Sequence, residues 1–199
     1  MEIIAVPVKP FGLAKARLAE AFTDKQRSDL GRATAAHTIG VIANVAGLAW
    51  VVTGDDEVAD WATEIGARVI IEHSPGKGLN TAADRVVEVA GDGRWLIVHA
   101  DLPLLTEHDI ERAWEGIPSE GFLLAPSHDG GTSAFGGSLR PPSFAYGAGS
   151  FRRHLALTRR SPTRILSRLG FLLDLDSPSD YQTAIAHTRG SWLAGETTR

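Results

Sequence analysis

The sequence predicts an α/β fold, with helices crossing over between the strands of a mainly parallel sheet. Two observations carry that prediction. Short apolar runs of strand length alternate with longer stretches of helical period. Several of those runs end directly in glycines, lysines or aspartates, at the strand ends where open parallel sheets bind ligands. With 199 residues and no Pro-, Gly- or Ser-rich linker, residues 1–199 read as a single domain.

The elements follow in order. Residues 3–8 form an apolar strand, and a loop carrying Lys9, Pro10, Gly12 and Lys15 comes next. Residues 24–46 are rich in alanine and read as a helix capped by Thr23 or Asp24. A second strand at 49–53 stops at Gly54-Asp55-Asp56, a short helix covers 57–65, and a third strand covers 67–72. Ser74-Pro75-Gly76-Lys77-Gly78 is loop chemistry. A helix spans about 80–90, a fourth strand 95–99, a helix capped by Thr106 runs to 114, and 122–125 is a further strand. Residues 127–137 read as loop and extended chain, 150–158 as a helix, 171–175 as a last strand, and 178–187 as a terminal helix. The last ten residues are polar and expected to fray.

Composition removes several function classes. Hydrophobic residues make up 43% and charged residues 22%, the mix of a globular chain. A net charge of -4 argues against a general nucleic-acid binder. The absence of cysteine excludes disulfides, thiolate nucleophiles and Cys-based metal sites. The N-terminus lacks a signal-peptide pattern, and no apolar run reaches the roughly 18 residues of a membrane span. A cytoplasmic protein without membrane partners is the expectation.

Five stretches carry candidate chemistry. In Val98-His99-Ala100-Asp101-Leu102-Pro103, Asp101 follows a buried strand, where a carboxylate can hold a divalent metal or simply cap a loop. In Asp174-Leu175-Asp176-Ser177-Pro178, a strand would put Asp174 and Asp176 on one face. Two like charges placed together call for a cation, and magnesium commonly takes one or two carboxylates plus substrate phosphates. Alternatively Ser177 or Asp176 caps the next helix, with Asp180 serving its first turn. In the loop 9–17, Gly12 permits close backbone approach, and Lys15 and Arg17 suit a triphosphate and its leaving pyrophosphate, although taken alone the stretch reads as a basic surface loop. Gly78 and Asn80 open a helix whose N–H groups suit an anion or base edge, although Asn80 also suits an ordinary cap. Thr132, Gly147 and Ser150 lie in glycine-rich stretches that can seize a carboxylate or phosphate, although without the other motifs both read as structural turns. His128 and His154 show no zinc spacing and read as surface histidines.

Taken as an ordered set, these motifs resemble the 2-phospholactate/phosphoenolpyruvate guanylyltransferases of coenzyme F-420 synthesis. The matching pieces are Val6-Pro7-Val8-Lys9-Pro10 with Lys15-Ala16-Arg17-Leu18, Gly78-Leu79-Asn80, His99-Ala100-Asp101-Leu102-Pro103, Asp129-Gly130-Gly131-Thr132-Ser133-Ala134, Phe144 with Gly147 and Ser150-Phe151, and Asp174-Leu175-Asp176-Ser177-Pro178. Together they cover nearly the whole chain. The resemblance implies a nucleotidyltransferase fold of the glycosyltransferase-A type, with a mixed, mostly parallel sheet flanked by helices. It implies transfer of GMP from GTP to a phosphorylated three-carbon acid, with Mg2+ as cofactor. The acid is phosphoenolpyruvate in the actinobacterial branch and usually 2-phospho-L-lactate in archaeal relatives. The same resemblance assigns Asp101, Asp174 and Asp176 to metal, and Thr132, Gly147 and Ser150 to phosphoenolpyruvate. It is compatible with a nucleotide site of Lys9, Gly12, Lys15, Gly78 and Asn80, and with a catalytic set of Asp101, Lys15 and Arg17. It is also compatible with a homodimer and with a product handed to the next enzyme of the pathway. Ser133 stands where the family pattern has asparagine, and Ser179 interrupts an acidic run. A molybdenum-cofactor-type or sugar-phosphate nucleotidyltransferase is an alternative, but the glycine-rich opening of those enzymes is absent. A non-catalytic GTP-binding domain is the alternative from another class.

Overall fold

The computed structural model describes residues 1–13, 16–73 and 78–196. Seven strands make one sheet: β1 (Ile3–Pro7), β2 (Trp50–Thr53), β3 (Arg68–Ile71), β4 (Trp95–Val98), β5 (Phe122–Pro126), β6 (Thr132–Gly137) and β7 (Thr163–Ile165). Their spatial order is β3-β2-β1-β4-β6-β5-β7. The pairs β1/β2, β1/β4, β2/β3 and β5/β7 are parallel, whereas β6 runs antiparallel to both β4 and β5. The sheet is therefore mixed and mostly parallel, as expected.

Among the described residues, seven α-helices flank it: α1 (Asp24–Ala46), α2 (Asp56–Glu64), α3 (Leu79–Ala90), α4 (Glu107–Gly116), α5 (Ser150–Thr158), the one-turn α6 (Leu169–Leu172) and α7 (Pro178–Ala186). Several starts have a local cause. Thr23 and Gln26 form a reciprocal capping box on α1, and Ser177 does the same with Asp180 on α7. Asp55 caps α2 by accepting from the Val58 N–H. On one sheet face, Ile4, Val6, Val51, Leu96 and Val98 bury against Ile39 and Ile42 of α1, Trp61 of α2, Ile110 of α4 and Phe171 of α6. On the other, Ile3, Ala5, Ile97 and Phe135 bury against Val86 and Val87 of α3 and against Phe144.

Four expectations need correction. Residues 127–137 hold a fully buried strand, β6, rather than loop alone. Its Thr-Ser-Ala-Phe-Gly-Gly sequence lacks the apolar run of a central strand because its neighbours fill the space. A Cβ on Gly137 would lie 2.8 Å from the Phe122 and Trp95 rings, and one on Gly136 would lie 2.9 Å from Ile117. β7 was not expected at all, and its three residues are too few to show alternation. The segment 171–175 is not a strand. Phe171 closes α6 against the main core, while Leu173 and Leu175 enter a separate apolar cluster with Leu18, Leu104, Tyr181 and Leu193. One burial pattern is thus split between two cores. Finally, the C-terminal stretch is anchored as far as it is described. Leu193 is fully buried, and the Trp192 indole N–H donates to the Pro103 carbonyl at 3.2 Å.

Candidate active site

The site lies at the carboxyl ends of β1 and β4, joined by the start of β6. Because β6 is antiparallel to β4, its first residues fall beside the end of β4, and the His99 N–H donates to the Ser133 carbonyl at 2.9 Å. Thr132 and Asp101 therefore belong to one rim, though they come from opposite chain directions. The Leu175 N–H donates to the Asp101 carbonyl at 2.9 Å and draws the 173–176 segment to the same place. The juxtaposition of Asp101 with Asp174 and Asp176 comes from this crossing of two loops, and not from the strand alternation the sequence suggested.

The electrostatics follow from that crowding. The Asp174 carboxyl is pushed up to about 6, first by burial and then by the negative charges of Asp101, Asp129 and Asp176. Its Oδ1 is buried and makes no hydrogen bond. Among the described residues, His128 stands beside it, with Nδ1 3.3 Å away but engaged with the Leu172 carbonyl at 3.1 Å. His128 Nε2 lies 3.5 Å from Asp180 Oδ1, so the ring stands between two carboxylates. Asp180 Oδ2 accepts from the Ser177 N–H at 2.7 Å from the first turn of α7, where it was expected, while Ser177 is the cap. Asp176 is more open, and Arg17 Nη1 approaches it at 3.9 Å. Among the described residues, no three His, Asp or Glu side chains form a closed metal cage. The donor set is nevertheless hard oxygen, carries several negative charges and includes a buried carboxylate oxygen with no hydrogen bond. Those properties fit magnesium completed by phosphate oxygens.

The second half of the site is built of hydroxyls and glycines. The turn Ser127 to Gly131 is closed by Asp129, which accepts from Ser127 Oγ and from the Gly131 N–H. The Ser127 hydrogen bond holds the Asp129 carboxyl below its usual range. Thr132 follows, buried, and Ser150 Oγ donates to Thr132 Oγ1 at 3.1 Å. Gly147 and Gly149 have φ of 111° and 68°, conformations that favour glycine, and they turn the chain into α5. Arg153 holds this turn by donating to the Ala145 and Ala148 carbonyls. Two buried hydroxyls close by, Ser133 Oγ and Tyr146 OH, have no hydrogen-bond partner among the described residues. Burial drives the Tyr146 phenol up, so it stays protonated.

The nucleotide-side candidates divide. Asn80 sits in the first turn of α3, and Gly78 holds the cap position, so Asn80 is not the N-cap. Its Oδ1 accepts the Tyr146 N–H at 2.7 Å and ties the start of α3 to the glycine turn. Tyr146 in turn packs 5.5 Å from the His99 ring. Gly78 and Asn80 are thereby linked to the Thr132 and Ser150 half. Lys9 stands beside Glu72 at the end of β3 and partly offsets the burial that raises that carboxyl. Gly12 has open space where a Cβ would stand. Lys15 lies outside the described residues.

Sequence reasoning missed His154 and Arg153. His154 was expected at the surface and is instead fully buried, bonded to Thr132 and to the Ala145 N–H. Its helical spacing from Phe151 on α5 was the available signal. Arg153 gave no signal, because its partners are backbone carbonyls.

Comparisons with known proteins give the family and the fold. Residues 1–194 match the family described as guanylyl transferase, CofC like. A phosphoenolpyruvate guanylyltransferase of Sphaerobacter thermophilus is 34% identical over 195 residues, covering 93% of both chains. A 2-phospho-L-lactate guanylyltransferase of Methanopyrus kandleri is 30% identical over 182 residues, covering 88% of this chain and 86% of the other. Among solved structures, a protein described as a nucleotide-diphospho-sugar transferase from Desulfovibrio desulfuricans superposes with a TM-score of 0.78 at 18% identity, covering 99% and 95%. A nucleotidyl transferase from Methanothermobacter gives 0.65 at 16% identity, covering 98% and 99%. The two structures share the fold.

Proposed function

Because the chain belongs to the CofC-like guanylyl transferase family, we propose that it transfers GMP from GTP to phosphoenolpyruvate and releases pyrophosphate, in the synthesis of coenzyme F-420. The observation that carries this reading is the meeting of a carboxylate cluster, Asp101 with Asp174 and Asp176, and a buried hydroxyl pair, Thr132 with Ser150, on one rim of the sheet. Phosphoenolpyruvate is preferred to 2-phospho-L-lactate because the 34% identical relative carries the former name.

The attacking group is already a phosphate and needs no general base at neutral pH. The obstacle is repulsion between two anions. Asp101, Asp174 and Asp176 would hold Mg2+, which when bound screens the phosphates and the charge of the departing pyrophosphate. Arg17, its side chain 77% exposed at the rim, stabilises that pyrophosphate together with Lys15. Gly78 and the α3 first turn offer backbone N–H groups to the nucleotide, with Lys9, Gly12 and Asn80 alongside. Thr132, Ser150 and the backbone of Gly147 hold the acid by donating to its anionic oxygens. No covalent intermediate with the protein is required.

The test is to incubate the protein with GTP, magnesium and, separately, phosphoenolpyruvate, 2-phospholactate and 3-phosphoglycerate, following pyrophosphate. Release with phosphoenolpyruvate supports the reading. Release only with another acid keeps the reaction and moves the substrate. GTP binding without release with any acid favours a non-catalytic nucleotide-binding role.

A further inference from the structure

His154 is fully buried in α5, a place where an imidazole needs partners for both nitrogens. It has them, and they decide its tautomer. The Ala145 backbone N–H can only donate, and it donates to His154 Nε2 at 2.9 Å. The ring proton must therefore sit on Nδ1, which faces Thr132 Oγ1 at 3.0 Å. Thr132 Oγ1 thus receives a hydrogen from His154 and a second from Ser150 Oγ at 3.1 Å. Both of its lone pairs are engaged, and its own hydrogen remains. If the Ser150–Thr132 bond runs the other way, the Ser150 hydrogen remains instead. The count is the same in both arrangements. Two hydroxyls bring two hydrogens, one is used between them, and the histidine adds a donor rather than consuming one.

We propose that His154 is a positioning residue which, by donating to Thr132, leaves the Thr132–Ser150 pair with one hydroxyl hydrogen reserved for an anionic oxygen of the acceptor acid. The proposal rests on the reading that this pair holds the acid. The opposite tautomer would accept from Thr132 and turn the pair away from an anion. A buried donor in a fixed direction favours a carboxylate or phosphate oxygen over water, because it needs no reorganisation when the ligand arrives. Phe135, Phe144 and Tyr146 pack around the imidazole, with ring centroids 4.8, 6.4 and 4.7 Å away, and hold its plane.

The experiment compares KM for phosphoenolpyruvate and for GTP in the wild type, His154→Leu, His154→Asn, Thr132→Val and the His154→Leu/Thr132→Val double variant, with melting curves for each. His154→Leu is expected to raise KM for the acid about tenfold or more, the worth of one hydrogen bond to a charged group, while KM for GTP stays within about twofold. Asn, whose amide can donate toward Thr132, is expected to restore most of the loss. The double variant is expected to be no worse than Thr132→Val, because the histidine acts through the threonine. Equal rises in both KM values, additive losses, or no change in a folded His154→Leu protein overturn the proposal. If His154→Leu does not fold, His154→Asn alone and combined with Thr132→Val decides. Wild-type affinity in His154→Asn supports the proposal, and a loss additive with Thr132→Val overturns it. Wild-type protein that neither releases pyrophosphate with phosphoenolpyruvate nor binds it in calorimetry overturns the functional reading, and the proposal with it.

Discussion

The Leu175 N–H donates to the Asp101 carbonyl at 2.9 Å, and that bond sets a buried carboxylate, Asp174, beside the carboxylate that ends β4. The arrangement opposes folding in the absence of a cation. Ionising Asp174 there is harder than in the unfolded chain, since its carboxyl is raised to about 6. Such proximity is kept where binding a positive charge matters more than stability.

Replacing Asp174 separates those two effects. Asp174→Asn is expected to raise the metal-free melting temperature at pH 7 by roughly 3–6 °C, because a costly buried charge is removed. Turnover is expected to fall by about two orders of magnitude or more. Melting curves beside a pyrophosphate assay check both. A variant less stable than the wild type contradicts the charge argument.

On the proposed reading, magnesium and protons compete for the same oxygen. With Asp174 near 6, affinity for magnesium in the presence of nucleotide is constant above about pH 7 and falls by about tenfold per unit well below pH 6. Titration calorimetry in buffers of different ionisation enthalpy reads the released proton. Proton release that is unchanged between pH 5 and pH 8 excludes this coupling.

His154 gives stability a pH dependence of the opposite sign. Burial, helped by the nearby Arg153 charge, lowers its imidazole to about 4, so between pH 6.5 and pH 4 the unfolded chain binds a proton the folded chain refuses. Its contribution is complete above pH 6.5 and is lost as the pH falls toward 4, by up to about 3 kcal/mol. Asp174 acts the other way between about 6 and 3.8, where the folded chain takes the proton first. Denaturant unfolding of wild type, Asp174→Asn and His154→Asn across pH 4–8 resolves the two. The Asp174→Asn curve is expected to be the steepest.

Two glycines make a contrast. Gly137→Ala drives a methyl into the Phe122 and Trp95 rings and is expected to cost about 1–3 kcal/mol. Gly12→Ala meets open space and does not have a left-handed φ, so stability is expected to be unchanged within about 0.5 kcal/mol. If Gly12 matters only for close approach of the nucleotide, the Ala variant raises KM for GTP alone.

Arg17 is exposed and reaches Asp176 only at 3.9 Å, so Arg17→Ala is expected to leave the melting temperature unchanged. Its loss is expected in turnover, by about tenfold to a hundredfold, from the missing charge on the leaving group. Equal turnover places the leaving-group charge elsewhere.

How far the sequence was legible depended on what each residue answers to. The alternation of β1, α1, β2 and α3 was visible because each helix buries one stripe against a single face of the sheet and the apolar period is local. Thr106, Thr23 and Ser177 marked their helices, since a cap is satisfied within three residues. β6 was hidden because its glycines answer to Trp95 and Phe122, far away in the chain. The 171–175 stretch misled because Phe171, Leu173 and Leu175 alternate as in a strand while serving two clusters. Asp101, Asp174 and Asp176 were readable as candidate metal ligands from their carboxylate chemistry and spacing, but the bond that brings them together belongs to the backbone. His154 was misread as a surface residue because the rings that bury it, Phe135, Phe144 and Tyr146, lie outside its own helix.

The most direct test of the account uses phosphoenolpyruvate carrying 18O throughout its phosphate, with unlabelled GTP and magnesium, and mass analysis of both products. Attack of the acid's phosphate on the α-phosphorus of GTP predicts every labelled oxygen in the guanylylated acid and none in pyrophosphate. Label in pyrophosphate or in a guanine nucleotide, or no guanylylated acid at all, would contradict it.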